Sequence, residues 1–212
     1  MIITKQKNFD ELLRSIDSKP VFLVGCSECA TICHTGGKDE VLALKQALET
    51  KQVPVSGWVI LEPACHRMND KRMLKDHAEE LNNSTKVLVL ACGNGVQTLA
   101  GLMPEKEIIA GTDTLFLGEI SHITEFNKRC VLCGECLLDL FGGLCPVSQC
   151  PKSMLNGPCG GSSHGKCEIN SQVDCVWVRI IQNLKKQGAL QTLSIIQKPK
   201  DWSKAGEMNR RI

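Results

Sequence analysis

The sequence lacks several features that mark whole classes of proteins. It contains no tyrosine, and aromatic residues make up only 4% of its 212 residues. Its 25 Lys and Arg residues nearly balance its 23 Asp and Glu residues, which leaves a formal net charge of +2. So small an excess of positive charge does not give the broad basic surface that nucleic-acid binding requires. We therefore expect no nucleic-acid partner.

Long apolar runs are missing as well. No stretch approaches the ~18 consecutive apolar residues of a membrane-spanning helix. The N-terminal stretch "MIITKQKNFDELLRS" lacks the apolar core of a secretory signal. We expect no membrane insertion and a cytoplasmic location. Because thiols are mostly kept reduced in that compartment, a disulfide framework is disfavoured.

Cysteine, in contrast, is abundant. The chain has 13 cysteines, five spread over residues 26–92 and eight crowded into residues 130–175. Metal binding is the leading explanation for so many thiols under reducing conditions. The spread group is Cys26, Cys29, Cys33, Cys65 and Cys92, and the crowded group is Cys130, Cys133, Cys136, Cys145, Cys150, Cys159, Cys167 and Cys175.

Residues 1–125 predict an α/β domain. The short apolar runs "VFLVG", "VSGWVIL" and "KVLVLA" are typical of buried parallel strands, and "EIIAG" and "TLFLG" are weaker strand candidates. Helical patterns alternate with these runs, and the first of them, "NFDELLRSI", begins with Asn8 as a potential N-cap. This alternation predicts βαβ units and a small parallel sheet of the flavodoxin or Rossmann type.

Residues 126–190 predict a ferredoxin-like, cysteine-rich module with a following helix. The glycine-rich stretch 130–170 has poor apolar periodicity and can bury little core, so bound metal would have to stabilise it. Residues 191–212 predict a polar tail. The helix is predicted from "DCVWVRIIQNLKKQ", which places on one face the residues Val173, Trp177, Ile180 and Leu184.

Three of the apolar runs are followed by a cysteine, namely Cys26, Cys65 and Cys92. The carboxyl ends of adjacent parallel strands open into one crevice, so we expect these three thiols to lie close together. Cys29 and Cys33 follow Cys26 and are four residues apart, which places them on one helical face. The five cysteines predict one four-ligand metal site with one cysteine to spare, and the spacing does not identify the spare one.

The N-terminal site could hold either a 4Fe–4S cluster or zinc. His34 and His66 directly follow Cys33 and Cys65, and a mixture of cysteine and histidine ligands is typical of zinc. Thiolate ligands alone are typical of an iron–sulfur cluster.

The crowded group begins with "CVLCGEC". In bacterial ferredoxins this C-x2-C-x2-C triplet delivers three thiolates to three irons of a cubane cluster. Cys145 precedes a proline, as the fourth ferredoxin cysteine does, but the gap before it is too long to assign it by spacing. Eight cysteines suffice for two 4Fe–4S clusters in residues 130–175. Structural zinc, or one cluster with one zinc, is the alternative.

Residues 129–180 resemble the methylenetetrahydrofolate reductase C-terminal domain family, which includes the MetV-type small iron–sulfur subunit. The motifs that carry the resemblance are "CPVSQCPKSMLNGPCGG", "GKCE" and "DCVW". It extends into the N-terminal part through "VGCSECATICHTGGKDEV" and "KVLVLACGNGVQ". That part is also similar to small electron-transfer subunits of heterodisulfide reductase systems.

The resemblance implies an electron-transfer role beside a MetF-type flavoprotein subunit. That subunit is a TIM barrel that reduces 5,10-methylenetetrahydrofolate to 5-methyltetrahydrofolate in the methyl branch of the Wood–Ljungdahl pathway. FMN is expected only in the partner, and no catalytic residue is expected in this chain. The electrons would come from a ferredoxin, a heterodisulfide-reductase-like module or an NADH-linked module.

Three other functions remain open from the sequence. The chain could be a zinc-bound scaffold of the same complex, or an independent electron-transfer adaptor of a heterodisulfide-reductase-like system. It could also be an enzyme that uses Cys26 and Cys29 for thiol–disulfide or corrinoid-linked chemistry. Acid-labile sulfide separates the scaffold and the enzyme from electron transfer, because only iron–sulfur clusters predict about four iron and four sulfide per four cysteines.

Overall fold

The computed structural model describes residues 1–123 and 125–206. The chain divides into two compact units, Met1–Phe116 and Leu117–Ile212. Residues 207–212 of the predicted polar tail lie outside the described residues. The finer separation of a tail at residue 190 stays a prediction.

The first unit is an α/β domain, as predicted. Its four-stranded parallel sheet has the strand order β3-β2-β4-β5. Its elements along the chain are β1 (Ile2–Gln6), α1 (Phe9–Ile16), β2 (Val21–Cys26), α2 (Cys29–Ile32), α3 (Lys38–Thr50), β3 (Val55–Leu61), α4 (Arg67–Lys75), α5 (Ala78–Asn82), β4 (Lys86–Leu90), α6 (Gly93–Ala100) and β5 (Glu107–Ala110).

The two central strands, β2 and β4, are largely apolar because both faces of this sheet are covered. Phe22 and Val24 of β2 belong to one buried cluster, whereas Val21 and Leu23 belong to another. Successive side chains of a strand point to opposite faces, so the two clusters lie on opposite sides of the sheet. A sheet covered on both sides explains why β2 and β4 are buried along their whole length.

The helix signals in the first unit are also confirmed, with one difference. The Asn8 side chain accepts a hydrogen bond from the Asp10 N–H at 2.9 Å and caps α1. The spacing of Met73, His77 and Leu81 predicts one helix after β3. The structure has two short helices there, α4, which ends at Lys75, and α5, which begins at Ala78.

The second unit contains little regular structure. β6 (Thr112–His122), on which the unit boundary falls, pairs antiparallel with β7 (Glu125–Cys130). The helices are α7 (Pro146–Gln149) and α8 (Val176–Lys186). Short 3-10 turns occur at Leu138–Phe141, Leu190–Ser194 and Trp202–Gly206.

A small core under α8 holds this unit together. Trp177 is 1% exposed, and its ring meets the Phe141 ring edge-on, with 5.6 Å between the ring centroids. Its indole N–H donates to the Met154 carbonyl at 3.0 Å. Ile180 and Leu184 are buried beside it, as predicted. Val173 was predicted on the same face, but it precedes the helix and is half exposed.

Candidate metal centres

Four cysteines line one cavity in the second unit. Its volume is about 230 Å³, and its walls are almost entirely apolar. The set completes the C-x2-C-x2-C triplet with Cys145, which spacing alone could not assign. The four cysteines are Cys130, Cys133, Cys136 and Cys145.

Local structure explains how Cys145 reaches the triplet. Cys130 is the last residue of β7, and Cys145 is the N-cap of α7, whose first residue is a proline. Proline suits this position because its fixed φ is already helical. The Ser148 hydroxyl of α7 donates to the Arg129 carbonyl at 2.7 Å, and Arg129 donates to Gln149 at 3.0 Å. These bonds fix the start of α7 against the end of β7.

The other four crowded cysteines line a second cavity, with a volume of about 130 Å³. Two backbone hydrogen bonds close the loop that carries two of them. The Cys167 N–H donates to the Val173 carbonyl at 2.9 Å, and the Cys175 N–H donates to the Gly165 carbonyl at 2.8 Å. The four cysteines are Cys150, Cys159, Cys167 and Cys175.

The eight crowded cysteines therefore divide in chain order into two sets of four that share no member. Among the described residues, no three His, Cys, Asp or Glu side chains converge on one point closely enough to hold a metal ion. The thiols instead surround cavities roughly ten to twenty times larger than the ~10–15 Å³ that one water needs. Four thiols around an apolar cavity are the donor set of a 4Fe–4S cluster, whereas zinc draws four sulfurs to one atom. The residues fit a cluster.

A buried cation also lines the first cavity. The Lys200 side chain is 5% exposed, and its ammonium donates to the Glu135 carbonyl and lies 3.5 Å from the Glu135 carboxylate. Lys204 bonds the same carboxylate at 2.6 Å, which holds the Glu135 pKa below its usual value. The predicted tail thus contacts the cysteine loop, and a positive charge lies beside four potential thiolates.

The strand-end cysteines of the first unit lie near one another. Cys26 ends β2, Cys65 follows β3 and Cys92 follows β4, and these strands are adjacent in the sheet. Desolvation raises the pKa of the Cys65 thiol, and its neighbours Cys92 and Cys26 raise it further. The strand order thus places the carboxyl ends that precede these thiols side by side at one edge of the sheet.

Cys29 of α2 and Cys33, the C-cap of that helix, contact β1 instead. The Ile2 N–H donates to Cys29 Sγ at 3.4 Å, and the Cys33 thiol donates to the Ile2 carbonyl at 3.8 Å. The histidines that favoured zinc are engaged with other groups. His34 is largely exposed and lies 3.7 Å from Glu40, and His66 Nδ1 accepts the N–H of the nearby Asn69 at 3.2 Å.

Asp70 of α4 is a further candidate site residue that the sequence motifs do not include. Its side chain is completely buried, and neither carboxylate oxygen has a hydrogen-bond partner among the described residues. Desolvation raises its pKa to about 6, although the nearby His66 opposes this shift. Asp70 precedes the buried Leu74 by four residues. An acidic residue on the apolar face of an amphipathic helix is a signal that the sequence did contain.

The two cavities and the cysteines that line them define a cysteine-rich class of protein. Residues 109–203, a little under half of the chain, match the family model described as "Methylene-tetrahydrofolate reductase C terminal". This segment belongs to that family, and the resemblance predicted from its motifs is confirmed. The segment contains all eight crowded cysteines.

No curated protein and no solved structure matches the chain. No helix in the described part of the chain is both long and apolar enough to cross a membrane.

Proposed function

We propose that this chain is the iron–sulfur electron-transfer subunit of a methylenetetrahydrofolate reductase complex. It passes electrons to a MetF-type flavoprotein subunit, which reduces 5,10-methylenetetrahydrofolate to 5-methyltetrahydrofolate in the methyl branch of the Wood–Ljungdahl pathway. One observation carries the proposal. Within a segment of the reductase C-terminal family, eight cysteines line two separate apolar cavities, four to each.

Each cavity would hold one 4Fe–4S cluster, and the strand-end cysteines would hold a further cluster or zinc. Bound clusters supply one-electron transfer at potentials that depend on charge, hydrogen bonds and solvent exposure. The protein controls these three properties. The apolar walls exclude water, and Lys200 places a cation beside the first set of thiolates.

Electron transfer to a flavin in another subunit requires a redox centre near the surface. Leu132 lies between Cys130 and Cys133 and is 62% exposed, and Leu138 lines the same cavity and is 40% exposed. These apolar side chains therefore offer a contact surface beside the first cavity. The flavoprotein is the partner that this surface would meet.

The chemistry on folate belongs to the flavoprotein in this proposal. FMN is bound there, and the purified chain alone reduces no folate. The upstream donor is a ferredoxin, a heterodisulfide-reductase-like module or an NADH-linked module.

Metal analysis of the anaerobically purified chain tests the proposal. Iron, zinc and acid-labile sulfide are measured together, and EPR spectra are recorded after reduction with dithionite. We expect about eight iron and eight sulfide from residues 130–175, at four of each per four cysteines. A matched double variant, Cys133→Ser with Cys159→Ser, should lose this iron and sulfide. Stoichiometric zinc without sulfide would identify a scaffold and contradict electron transfer.

A further inference from the structure

We infer that Asp70 is a protein ligand of the metal centre at the strand ends of the first unit. With Cys26, Cys65 and Cys92 it would form a set of three thiolates and one carboxylate. Because no three of these described side chains converge closely enough to hold a single metal ion, the set suits an iron–sulfur cluster better than zinc. The inference rests on the proposed function in one respect only, namely that the first unit holds a metal centre. The segment that matches the family model, residues 109–203, includes none of these four residues.

The burial of Asp70 is the first argument. The residue is 0% exposed, and both carboxylate oxygens lack a hydrogen-bond partner in the described part of the chain. Taking a carboxylate out of water without a partner is strongly unfavourable, so buried charges in proteins are paired or coordinate metals. A metal centre would supply the missing partner.

The position of Asp70 on α4 is the second argument. The helix begins two residues after Cys65, and Asp70 lies in its first half. Leu74, four residues later, shares the helix face with Asp70 and packs in the cluster that contains Leu99 of α6. Asp70 therefore faces the core one turn nearer the strand ends.

The elements that carry these residues are fixed against one another. A Cβ on Gly95 of α6 would lie 3.2 Å from the carbonyl oxygen of Ala64, the residue before Cys65. The Cys65 loop therefore packs closely against the first turn of α6 at this glycine. Cys92 is the N-cap of that helix. Arg67 of α4 donates to the Gly101 carbonyl beyond α6 at 2.9 Å and ties the two helices together.

The alternative fourth ligands are less well placed. Cys29 and Cys33 both contact the backbone of Ile2 in β1. A carboxylate oxygen is an accepted ligand of zinc and of iron. The Asp70 carboxylate has no such contact among the described residues, so we infer that it is the fourth ligand in preference to Cys29 or Cys33.

Metal analysis of the full-length chain tests the inference. Asp70→Asn preserves the shape of the side chain and removes its charge. We expect it to lose one metal centre, about four iron and four sulfide if a cluster is bound, or one zinc if zinc is bound. Cys26→Ser should lose the same centre. Asp76→Asn, an exposed position at the end of the same helix, is the matched control and should lose no metal.

Thermal unfolding of the metal-free chain separates a ligand from a structural residue. Metal-free Asp70→Asn should unfold at the same temperature as the metal-free parent or higher, because a buried unpaired charge is removed. A lower unfolding temperature would show that Asp70 has a structural partner and would overturn the inference.

Two further outcomes would also overturn it. One is full metal retention in Asp70→Asn while Cys26→Ser loses a centre. The other is loss of that centre in Cys29→Ser or Cys33→Ser. If Cys26→Ser loses no metal, the first unit has no centre and the inference fails, whereas the proposed function still stands on the metal held by residues 130–175.

Discussion

The division of the eight cysteines into two cavities predicts how pairs of substitutions combine. Cys133→Ser and Cys145→Ser each remove a thiolate from the first cavity, and Cys159→Ser removes one from the second. Because four thiolates hold one cluster, each single variant should lose about four of the eight iron atoms of residues 130–175. The double variant Cys133/Cys145 should lose no more iron than either single variant does. The double variant Cys145/Cys159 should lose about eight.

This pattern distinguishes the structure from a familiar alternative. In two-cluster ferredoxins, the cysteine before proline ligates the other cluster. If Cys145 did the same, combining Cys133→Ser with Cys145→Ser would remove both clusters. Iron and acid-labile sulfide per chain are the measurement, with EPR after reduction to count the remaining signals. Loss of all eight iron atoms in the Cys133/Cys145 variant would refute the division.

A control variant guards against a general loss of metal. Cys29 lies in α2 and lines neither cavity. Cys29→Ser should therefore retain all of the iron bound by residues 130–175.

Three other substitutions test the packing and electrostatics of the units. Trp177→Ala removes a ring that is 1% exposed. Denaturant unfolding followed by circular dichroism should show that the free energy of unfolding falls by about 3–5 kcal/mol. An unchanged denaturation midpoint would contradict the described core. Lys200→Gln removes a buried cation from the wall of the first cavity. An EPR-monitored redox titration should therefore show a more negative reduction potential for one centre, because the reduced form loses a nearby positive charge. Lys204→Gln, at a more exposed position, should shift this potential less, and equal shifts would contradict the role of burial. Gly36→Ala would place a Cβ 2.0 Å from the Leu90 carbonyl oxygen. The free energy of unfolding of the first unit should therefore fall by about 1–3 kcal/mol or more. A thermal unfolding temperature equal to that of the parent would contradict this contact.

Much of the first unit could be predicted from its sequence. β2 and β4 read as continuous apolar runs because helices cover both faces of the sheet. The first helix could be found from Asn8, whose side chain does cap it. The sequence does not predict β1, because it is short and includes exposed Lys5.

The second unit was harder to predict. β6 and β7 are largely exposed, so their side chains do not alternate between apolar and polar residues. Only part of β6 was a strand candidate, and β7 was not one. The sequence of the predicted polar tail does not indicate that Lys200 contacts Glu135, because the two residues are 65 positions apart in the chain.

The candidate sites show the same limit. Cysteine identity and spacing indicate metal binding, but they do not assign Cys145 to the first cavity. That assignment depends on the bonds of Ser148 and Arg129, which position α7 against β7. Asp70 carries no motif, and its importance follows from its burial without a partner.

Electron transfer to a separately purified MetF-type flavoprotein tests the central claim most directly. The chain is reduced with dithionite, freed of excess reductant and mixed anaerobically with the oxidised flavoprotein, while the flavin absorbance is followed. We expect the flavin to be reduced by the intact chain and to stay oxidised with the cluster-deficient double variant Cys133→Ser and Cys159→Ser. A flavin that stays oxidised with the intact chain, or that is reduced equally by the double variant, would contradict the proposed role.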